Sequence, residues 1–142
     1  MKFSLVQAGS IEITKKEGVK NSRPTSSLLE CGGARVLIDL EHPRKDGVEF
    51  VSALDSLGVS ASRIGAIILT HLHPDHIGHK ALFPNSLFVF HADEKLAFYF
   101  KNDKTLRLQD SAILELSGGG LTLHRYAETI PDLKTLGNAL YV

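Results

Sequence analysis

Residues 70–79 read Thr-His-Leu-His-Pro-Asp-His-Ile-Gly-His, and this segment holds four of the seven histidines of the chain. The apolar run Ile64–Leu69 leads directly into it. A continuous apolar run of this kind is typical of a strand that is covered on both faces. We call residues 70–79 the histidine loop and expect it at the carboxyl end of a buried strand, where the chain can build a metal site.

The spacing inside the histidine loop is suited to metal binding. In an extended chain, residues two apart point the same way, so His71 and His73 can face one ion. Pro74 keeps His73 out of helical geometry, and Asp75 then suits the amino terminus of a short helix. His76 follows and can turn back toward the same ion. Three imidazoles and a carboxylate are ligands suited to zinc, with iron or manganese as alternatives where oxygen ligands dominate.

Length and composition predict one globular domain over residues 1–142, with 43% apolar and 23% charged residues. The 16 basic and 16 acidic residues give a net charge of zero, which favours a small-molecule substrate over nucleic acid. Cys31 is the single cysteine and cannot form an internal disulfide. The amino terminus lacks the apolar stretch of a signal peptide, and no apolar run approaches the roughly 20 residues of a membrane span. We therefore expect a soluble, cytoplasmic protein that does not enter the membrane.

The first half of the chain alternates in the manner of a sheet. The predicted elements are a strand pair over residues 3–8 and 11–14, a hairpin over 26–31 and 35–40, and a helix over 48–57 that ends at Gly58. The apolar stripe expected to face the core from that helix is Val48, Val51, Leu54 and Leu57. Residues 15–23 are polar and basic, which predicts a solvated loop, with a substrate-facing loop as the alternative.

The second half continues the same pattern of strands and short helices. A short helix is expected over residues 77–82 and another around 96–100, with a strand at 87–90 between them. Further strands are predicted at 105–109, 112–116, 121–126 and 139–142. The order of these elements predicts a sheet-rich α/β domain with its helices on the outside.

The motif His-x-His-x-Asp-His resembles the signature of the metallo-β-lactamase fold superfamily. The likeness extends to the strand Arg35–Asp39 and to the Gly-rich hairpin Leu116–Leu121, in the family's order. The resemblance implies an αββα sandwich of the α/β class. It also implies that this chain holds the amino-terminal half of that sandwich plus part of the join, and is shortened at its carboxyl terminus.

The same resemblance implies an activity and a role for each residue of the motif. His71 and His73 would bind a first metal, and Asp75 and His76 a second, with zinc as the expected ion in one or two copies. A metal-bound hydroxide would attack an ester, thioester, amide or phosphodiester. Asp75 would also act catalytically by taking or giving a proton. Asp39 would support the histidine loop from behind; its alternative interpretation is a turn residue that caps local amides.

One part of the family pattern has no counterpart, because residues 127–138 lack the family's later histidine. Glu128 and Asp132 are weak candidates for oxygen ligands, with solvated loop carboxylates as the alternative. His124 is a third weak candidate, although it lies within a predicted strand. These departures favour a second hypothesis: a degenerate or truncated member that binds metal weakly and serves as a structural or interaction module. A half-domain would also expose an apolar face through which two copies could pair.

The remaining histidines carry weaker signals. His79 and His91 are interpreted as structural or exposed residues, because isolated histidines more often satisfy local contacts than bind ligands. His42 follows the strand that ends at Asp39, in a loop that borders the site in the resembled family. It is kept as a weak candidate on the substrate side.

Overall fold

The computed structural model describes residues 1–42, 47–110, 112–125 and 139–141. Within them the chain forms eleven strands and one α-helix, α1 (Val48–Ser56). The strands are β1 (Lys2–Gln7), β2 (Ser10–Thr14), β3 (Gly18–Arg23), β4 (Ser26–Cys31), β5 (Ala34–Ile38), β6 (Ala66–Ile68), β7 (Leu87–His91), β8 (Thr105–Leu108), β9 (Ala112–Ser117), β10 (Gly120–Arg125) and β11 (Ala139–Tyr141). Three short 3₁₀ helices span Ala61–Arg63, Lys80–Leu82 and Ala97–Phe100.

The central sheet has six strands in the order β1-β4-β5-β6-β7-β8. The first two pairings, β1 with β4 and β4 with β5, are antiparallel, whereas β5 through β8 run parallel to one another. Parallel strands deliver their carboxyl ends to the same edge of a sheet, and ligand sites are built at that edge. The histidine loop follows β6 and therefore emerges between the ends of β5 and β7.

Helix α1 covers one face of the central sheet. Phe50 and Leu54 of this helix are buried, and they join Phe83, Phe88 and Phe100 in one apolar cluster with the sheet residues beneath. The helix ends where Gly58 donates its N–H to the carbonyl of Asp55 at a φ of +77°. The predicted end at Gly58 is confirmed, because glycine adopts this left-handed conformation without steric cost.

A second sheet covers the opposite face. Its three strands lie in the order β10-β9-β11, and the buried Leu114 and Leu116 of β9 pack with Val36, Ile68 and Val89 of the central sheet. Helix, sheet and sheet are thus stacked in three layers around two apolar cores. This arrangement confirms the predicted metallo-β-lactamase-like sandwich of the α/β class.

The amino-terminal strands pair differently from the prediction. β1 pairs with β4, and the partner of β2 is β3, so the solvated loop predicted for residues 15–23 is wrong over Gly18–Arg23. Polar cross-strand contacts replace the apolar alternation that signals a strand. The amide of Asn21 donates to the Glu12 carboxylate at 2.7 Å, and Nζ of Lys20 lies 3.5 Å from the same carboxylate. Such pairs stabilise a hairpin without leaving an apolar signature in the sequence.

Two predicted helices are also wrong. The chain forms a 3₁₀ turn at Lys80–Leu82 instead of a helix over 77–82, and a second 3₁₀ turn at Ala97–Phe100. Ahead of the first turn, the N–H of Gly78 bonds to the carbonyl of Glu41 at 2.8 Å and His79 takes a φ of +58°. Backbone pairing to another segment therefore wins over helix formation here. In α1, Leu54 is buried as predicted. Val48 is 61% exposed instead of facing the core, and Phe50, which was not part of the predicted stripe, is buried.

Two hairpin turns meet at the end of the molecule where β4 joins β5. A Cβ built on Gly32 would lie 2.5 Å from the Cα of Gly118, in the turn between β9 and β10, and Gly32 has a φ of +54°. Glycine is thus required at this position by both space and backbone conformation.

In the described part of the chain, no helix is long and apolar enough to cross a membrane.

We expect Gly32→Ala to lower the free energy of unfolding by at least about 1–2 kcal/mol, because alanine would add left-handed strain and a steric clash. Urea denaturation followed by circular dichroism measures this change. Gly118→Ala is the matched control, since a Cβ there would meet no atom closer than 3.7 Å. Equal destabilisation by the two substitutions would contradict the proposed close approach.

Candidate metal centre

The histidine loop is anchored at the point where it leaves β6. The N–H of Leu69 bonds to the carbonyl of Val89 at 2.8 Å, and the N–H of Asp39 bonds to the carbonyl of Ile68 at 2.9 Å. Asp39, just past β5, is therefore held against β6, and Leu69, just past β6, is held against β7. The hydrogen-bonded pairing between neighbouring strands continues for one residue beyond β6. This pairing sets the direction in which the histidine loop leaves the sheet.

A second segment, residues 39–41, runs along the histidine loop and is joined to it by backbone hydrogen bonds. The N–H of Leu40 donates to the carbonyl of His76 at 3.0 Å, and the N–H of Gly78 donates to the carbonyl of Glu41 at 2.8 Å. Within the loop, the N–H of His76 closes a tight turn on the carbonyl of His73 at 2.9 Å. His76 is positioned by this turn and by Leu40, and not by a helix as the sequence predicted.

Asp39 lies beneath the loop and is 4% exposed. One of its carboxylate oxygens accepts the backbone N–H of Thr70 at 2.8 Å, and the other accepts the Thr70 hydroxyl at 2.7 Å. Nδ1 of His76 lies 3.0 Å from that second oxygen. Asp39 itself has a φ of +56°, and its carbonyl accepts the buried Ser26 hydroxyl at 2.7 Å. The buried carboxylate thus connects the two ends of the His-x-His-x-Asp-His motif.

The four predicted metal ligands are brought together at the surface above Asp39. The ring centroids of His71 and His73 are 4.6 Å apart, and those of His71 and His76 are 3.9 Å apart. Nε2 of His76 lies 3.9 Å from a carboxylate oxygen of Asp75. The three imidazole rings are therefore neighbours within one short loop, and the Asp75 carboxylate lies beside His76.

The surroundings keep His71 in the form that binds metal. Burial lowers the pKa of His71 below its ordinary value, and positive charge on His76 or His73 would lower it further. The carboxylates of Asp39 and Glu94 act in the opposite sense but do not outweigh these effects. At neutral pH the His71 ring is neutral and can donate a lone pair to a cation.

His76 and Asp75 titrate differently from His71. Burial alone would lower the pKa of His76, but its hydrogen bond to Asp39 and the charges of Asp39 and Asp75 raise it above the ordinary value. Burial alone would raise the pKa of Asp75, but a hydrogen bond from Ser22, its own backbone N–H and the charges of His76 and His42 lower it overall. Asp75 is therefore ionised at neutral pH.

The chemistry of this donor set fits a metal ion such as zinc. Nδ1 of His76 contacts the Asp39 carboxylate, whereas Nε2 of the same ring lies on the side of Asp75. In many metal sites a carboxylate contacts one ring nitrogen of a histidine in this way, while the other nitrogen binds the metal. Among the described residues, no three His, Cys, Asp or Glu side chains are arranged so that together they could hold a metal ion. His71, His73, Asp75 and His76 thus remain predicted ligands.

Two residues next to the loop were not singled out from the sequence. A carboxylate oxygen of Glu94 accepts the N–H of Leu72, between His71 and His73, at 3.1 Å. Glu94 follows β7. Its position could have been predicted from the order of the parallel strands, because the residues that follow such strands lie at the same edge of the sheet. Ser22, on the β2–β3 hairpin, donates to the Asp75 carboxylate. No sequence signal pointed to Ser22, because its segment was interpreted as a loop.

The other candidates lie in different places. His42 is close enough to Asp75 for its charge to stabilise that carboxylate. Nε2 of His91 lies 3.1 Å from the Asp110 carboxylate, whereas Nε2 of His79 is buried without a hydrogen-bond partner among the described residues. Glu128 and Asp132 lie outside the described residues. His124 stands in β10 opposite Ile113, and nothing further is described for it.

Comparison with known proteins gives the family. The family model described as Anti-Pycsar protein Apyc1 matches residues 13–131 of this chain. The chain belongs to this family. An Anti-Pycsar protein Apyc1 from Paenibacillus xerothermodurans is 40% identical over 53 residues, which are 37% of this chain and 19% of that protein.

Solved structures show the fold of this Apyc1 family member. A Thermotoga maritima protein assigned as a metallo-β-lactamase superposes with a TM-score of 0.59 at 20% identity, over 76% of this chain and 58% of that one. The chemotaxis sensor ODP, solved as a peroxy-diiron species, gives 0.55 at 18% identity, over 79% of this chain and 42% of that one. Native FEZ-1 metallo-β-lactamase from Legionella gormanii gives 0.51 at 18% identity, over 65% and 42% of the two chains. The predicted metallo-β-lactamase fold is confirmed, and the chain spans less than two thirds of these relatives' lengths.

Zinc affinity is expected to depend on the proton held by His76. Because Asp39 raises the pKa of this imidazole, zinc must compete with a proton until the pH exceeds that raised value, so affinity increases as the pH rises. Asp39→Asn removes the charge that favours the imidazolium. The midpoint of the pH dependence should then move to lower pH, while affinity at high pH falls because Thr70 loses its anchor.

Competition with a chromogenic chelator across roughly pH 5.5–8.5 measures both effects. Asp110→Asn is the matched control, since it removes the carboxylate paired with His91 at 3.1 Å and leaves the histidine loop intact. An unchanged midpoint in Asp39→Asn would show that Asp39 does not control the protonation of the metal-binding histidines.

Proposed function

We propose that this chain carries a zinc-dependent hydrolase site that cleaves a small phosphodiester of the cyclic-nucleotide class. The observation that carries the proposal is the proximity of three imidazole rings above the buried Asp39, with the Asp75 carboxylate beside His76. Metal use in this fold is supported by the diiron state of the ODP sensor. The substrate class is the one to which the name of the Anti-Pycsar family points, and it agrees with the small-molecule substrate expected from the neutral net charge.

In this proposal the ligands divide into two pairs. His71, whose pKa is lowered by burial, and His73 would hold one ion. Asp75 and Nε2 of His76 would hold a second, with Asp39 fixing the orientation of the His76 ring. Bound zinc acts as a Lewis acid that acidifies water and polarises the bond to be broken. Asp39 and Glu94 keep the loop in place, because each accepts a backbone N–H from it.

Asp75 is the residue proposed to move the proton. Its carboxylate is ionised at neutral pH because Ser22, a backbone N–H, His76 and His42 outweigh the effect of burial on its pKa. It can therefore accept the proton of the attacking water as the new phosphorus–oxygen bond forms. The same proton then passes to the ester oxygen that leaves, so the cyclic diester opens to a phosphate monoester.

The second candidate function is that of a degenerate family member, which binds metal weakly and has a structural or interaction role. The observation that favours it is that no three of the described side chains already form a metal-binding group. The two functions differ in metal content. A hydrolase retains about one or two zinc ions per chain after dialysis, whereas a degenerate module does not.

We expect His71→Ala and His73→Ala each to reduce bound zinc, and Asp75→Asn to reduce hydrolysis of 3′,5′-cyclic nucleotides by roughly two orders of magnitude or more. Elemental analysis gives the zinc content, and chromatography of the nucleotide products gives the rate. His91→Ala is the control, because His91 pairs with Asp110 outside the histidine loop. Full activity without zinc, or in the His71→Ala variant, would overturn the proposed zinc site. A chain that retains no zinc and hydrolyses no cyclic nucleotide would leave the degenerate module.

A further inference from the structure

A cavity opens between the β2–β3 hairpin and His42. Its volume is about 600 Å³, which lies within the roughly 300–1,000 Å³ range of small-molecule sites. The hairpin contributes apolar side chains, Ile11 and Val19, and basic side chains, Lys20 and Arg23, to its lining. We call this space the hairpin cavity.

The hairpin cavity adjoins the proposed catalytic residue. Ser22 lines the cavity and also donates a hydrogen bond to the Asp75 carboxylate. His42 also lines the cavity, and it is close enough for its charge to act on the same carboxylate. A molecule that fills the cavity is therefore next to Asp75. The cavity thus adjoins the histidine loop through Ser22 and His42, and its described lining contains no residue of the loop itself.

The charges in the cavity favour an anion. Glu12, the acidic residue among the described lining side chains, is already compensated by Nζ of Lys20 at 3.5 Å and by the amide of Asn21 at 2.7 Å. Nε of Arg23 donates to the carbonyl of Ala8 at 3.1 Å, which fixes the guanidinium in place. Within the described residues, no carboxylate pairs with Arg23. Its charge is available to a phosphate, which guanidinium binds well.

The cavity also offers apolar surface. Ile11 and Val19 are 63% and 57% exposed and line the cavity, so their aliphatic side chains are accessible to a bound molecule. Ile11 is the cross-strand partner of Ser22, and both residues line the cavity. A flat apolar group that covered these side chains would remove them from water.

We propose that the hairpin cavity is the subsite that recognises the nucleoside part of a cyclic nucleotide, with its base packed on Ile11 and Val19 and Arg23 facing the phosphate. This inference rests on the proposed function and adds the residues that select the substrate. A phosphodiester that lacks a nucleoside reaches the histidine loop without filling the cavity. The hairpin therefore acts on the affinity for nucleotides and not on the chemical step.

The test compares two substrates on the zinc-loaded full chain, a 3′,5′-cyclic nucleotide and bis(p-nitrophenyl) phosphate. Arg23→Gln should raise KM for the cyclic nucleotide about tenfold, the loss expected for one charge-assisted hydrogen bond, with a much smaller change in kcat. Ile11→Ser should raise the same KM several-fold. Arg23→Lys should restore part of the affinity. The effect of Ile11→Ser should be smaller for bis(p-nitrophenyl) phosphate, which has no nucleobase, whereas Arg23→Gln acts on the phosphate that both substrates carry.

Lys16→Gln is the matched control, since Lys16 is an exposed residue of the same hairpin outside the cavity lining. The inference is overturned if Arg23→Gln raises KM for the cyclic nucleotide no more than Lys16→Gln does, or if Ile11→Ser affects both substrates equally. Calorimetric binding of a hydrolysis-resistant phosphorothioate cyclic nucleotide separates recognition from chemistry. Binding that depends on Arg23 without any turnover supports the cavity and overturns the proposed hydrolase. Turnover that is unaffected by Arg23→Gln and by Ile11→Ser supports the proposed hydrolase and overturns the role of the cavity.

Discussion

The buried carboxylate of Asp39 is the interaction on which the rest of the site depends. A charged group removed from water must be matched by hydrogen-bond donors, or its burial costs several kcal/mol. Asp39 finds a backbone N–H and a hydroxyl on Thr70 and an imidazole on His76. Because these donors lie at the two ends of the His-x-His-x-Asp-His motif, satisfying one carboxylate also sets the shape of the whole loop.

The order of the strands explains why two carboxylates reach the loop from opposite sides. β6 lies between β5 and β7 in the parallel part of the sheet, so the residues that follow those strands flank the histidine loop. Asp39 comes after β5 and holds Thr70, whereas Glu94 comes after β7 and holds Leu72. His71 stands between the two anchored residues. The topology thus supplies a rigid frame for a loop that has no regular structure of its own.

The sequence predicted the features that depend on short-range apolar patterns and on the histidine motif. The strands from β4 to β7, the end of α1 at Gly58 and the layered sandwich agree with the structure, because buried strands carry a continuous apolar signal. The β2–β3 hairpin was missed, since its pairing depends on polar contacts such as Asn21 with Glu12. The helix expected after His76 was wrong, because Gly78 pairs with Glu41 in a distant segment. Long-range backbone pairing of this kind leaves no local pattern to interpret.

The backbone of Asp39 adopts the left-handed conformation, which is unfavourable for most residues. A φ of +56° is rare for a residue with a side chain, and conformations of this kind cost roughly 1–3 kcal/mol when the surroundings impose them. Glycine would adopt the same backbone shape without that cost, but it would remove the carboxylate that organises the loop. The backbone conformation therefore favours glycine at this position, whereas the chemistry of the site favours aspartate. A search for more stable variants would select against aspartate here, whereas a search for activity would restore it.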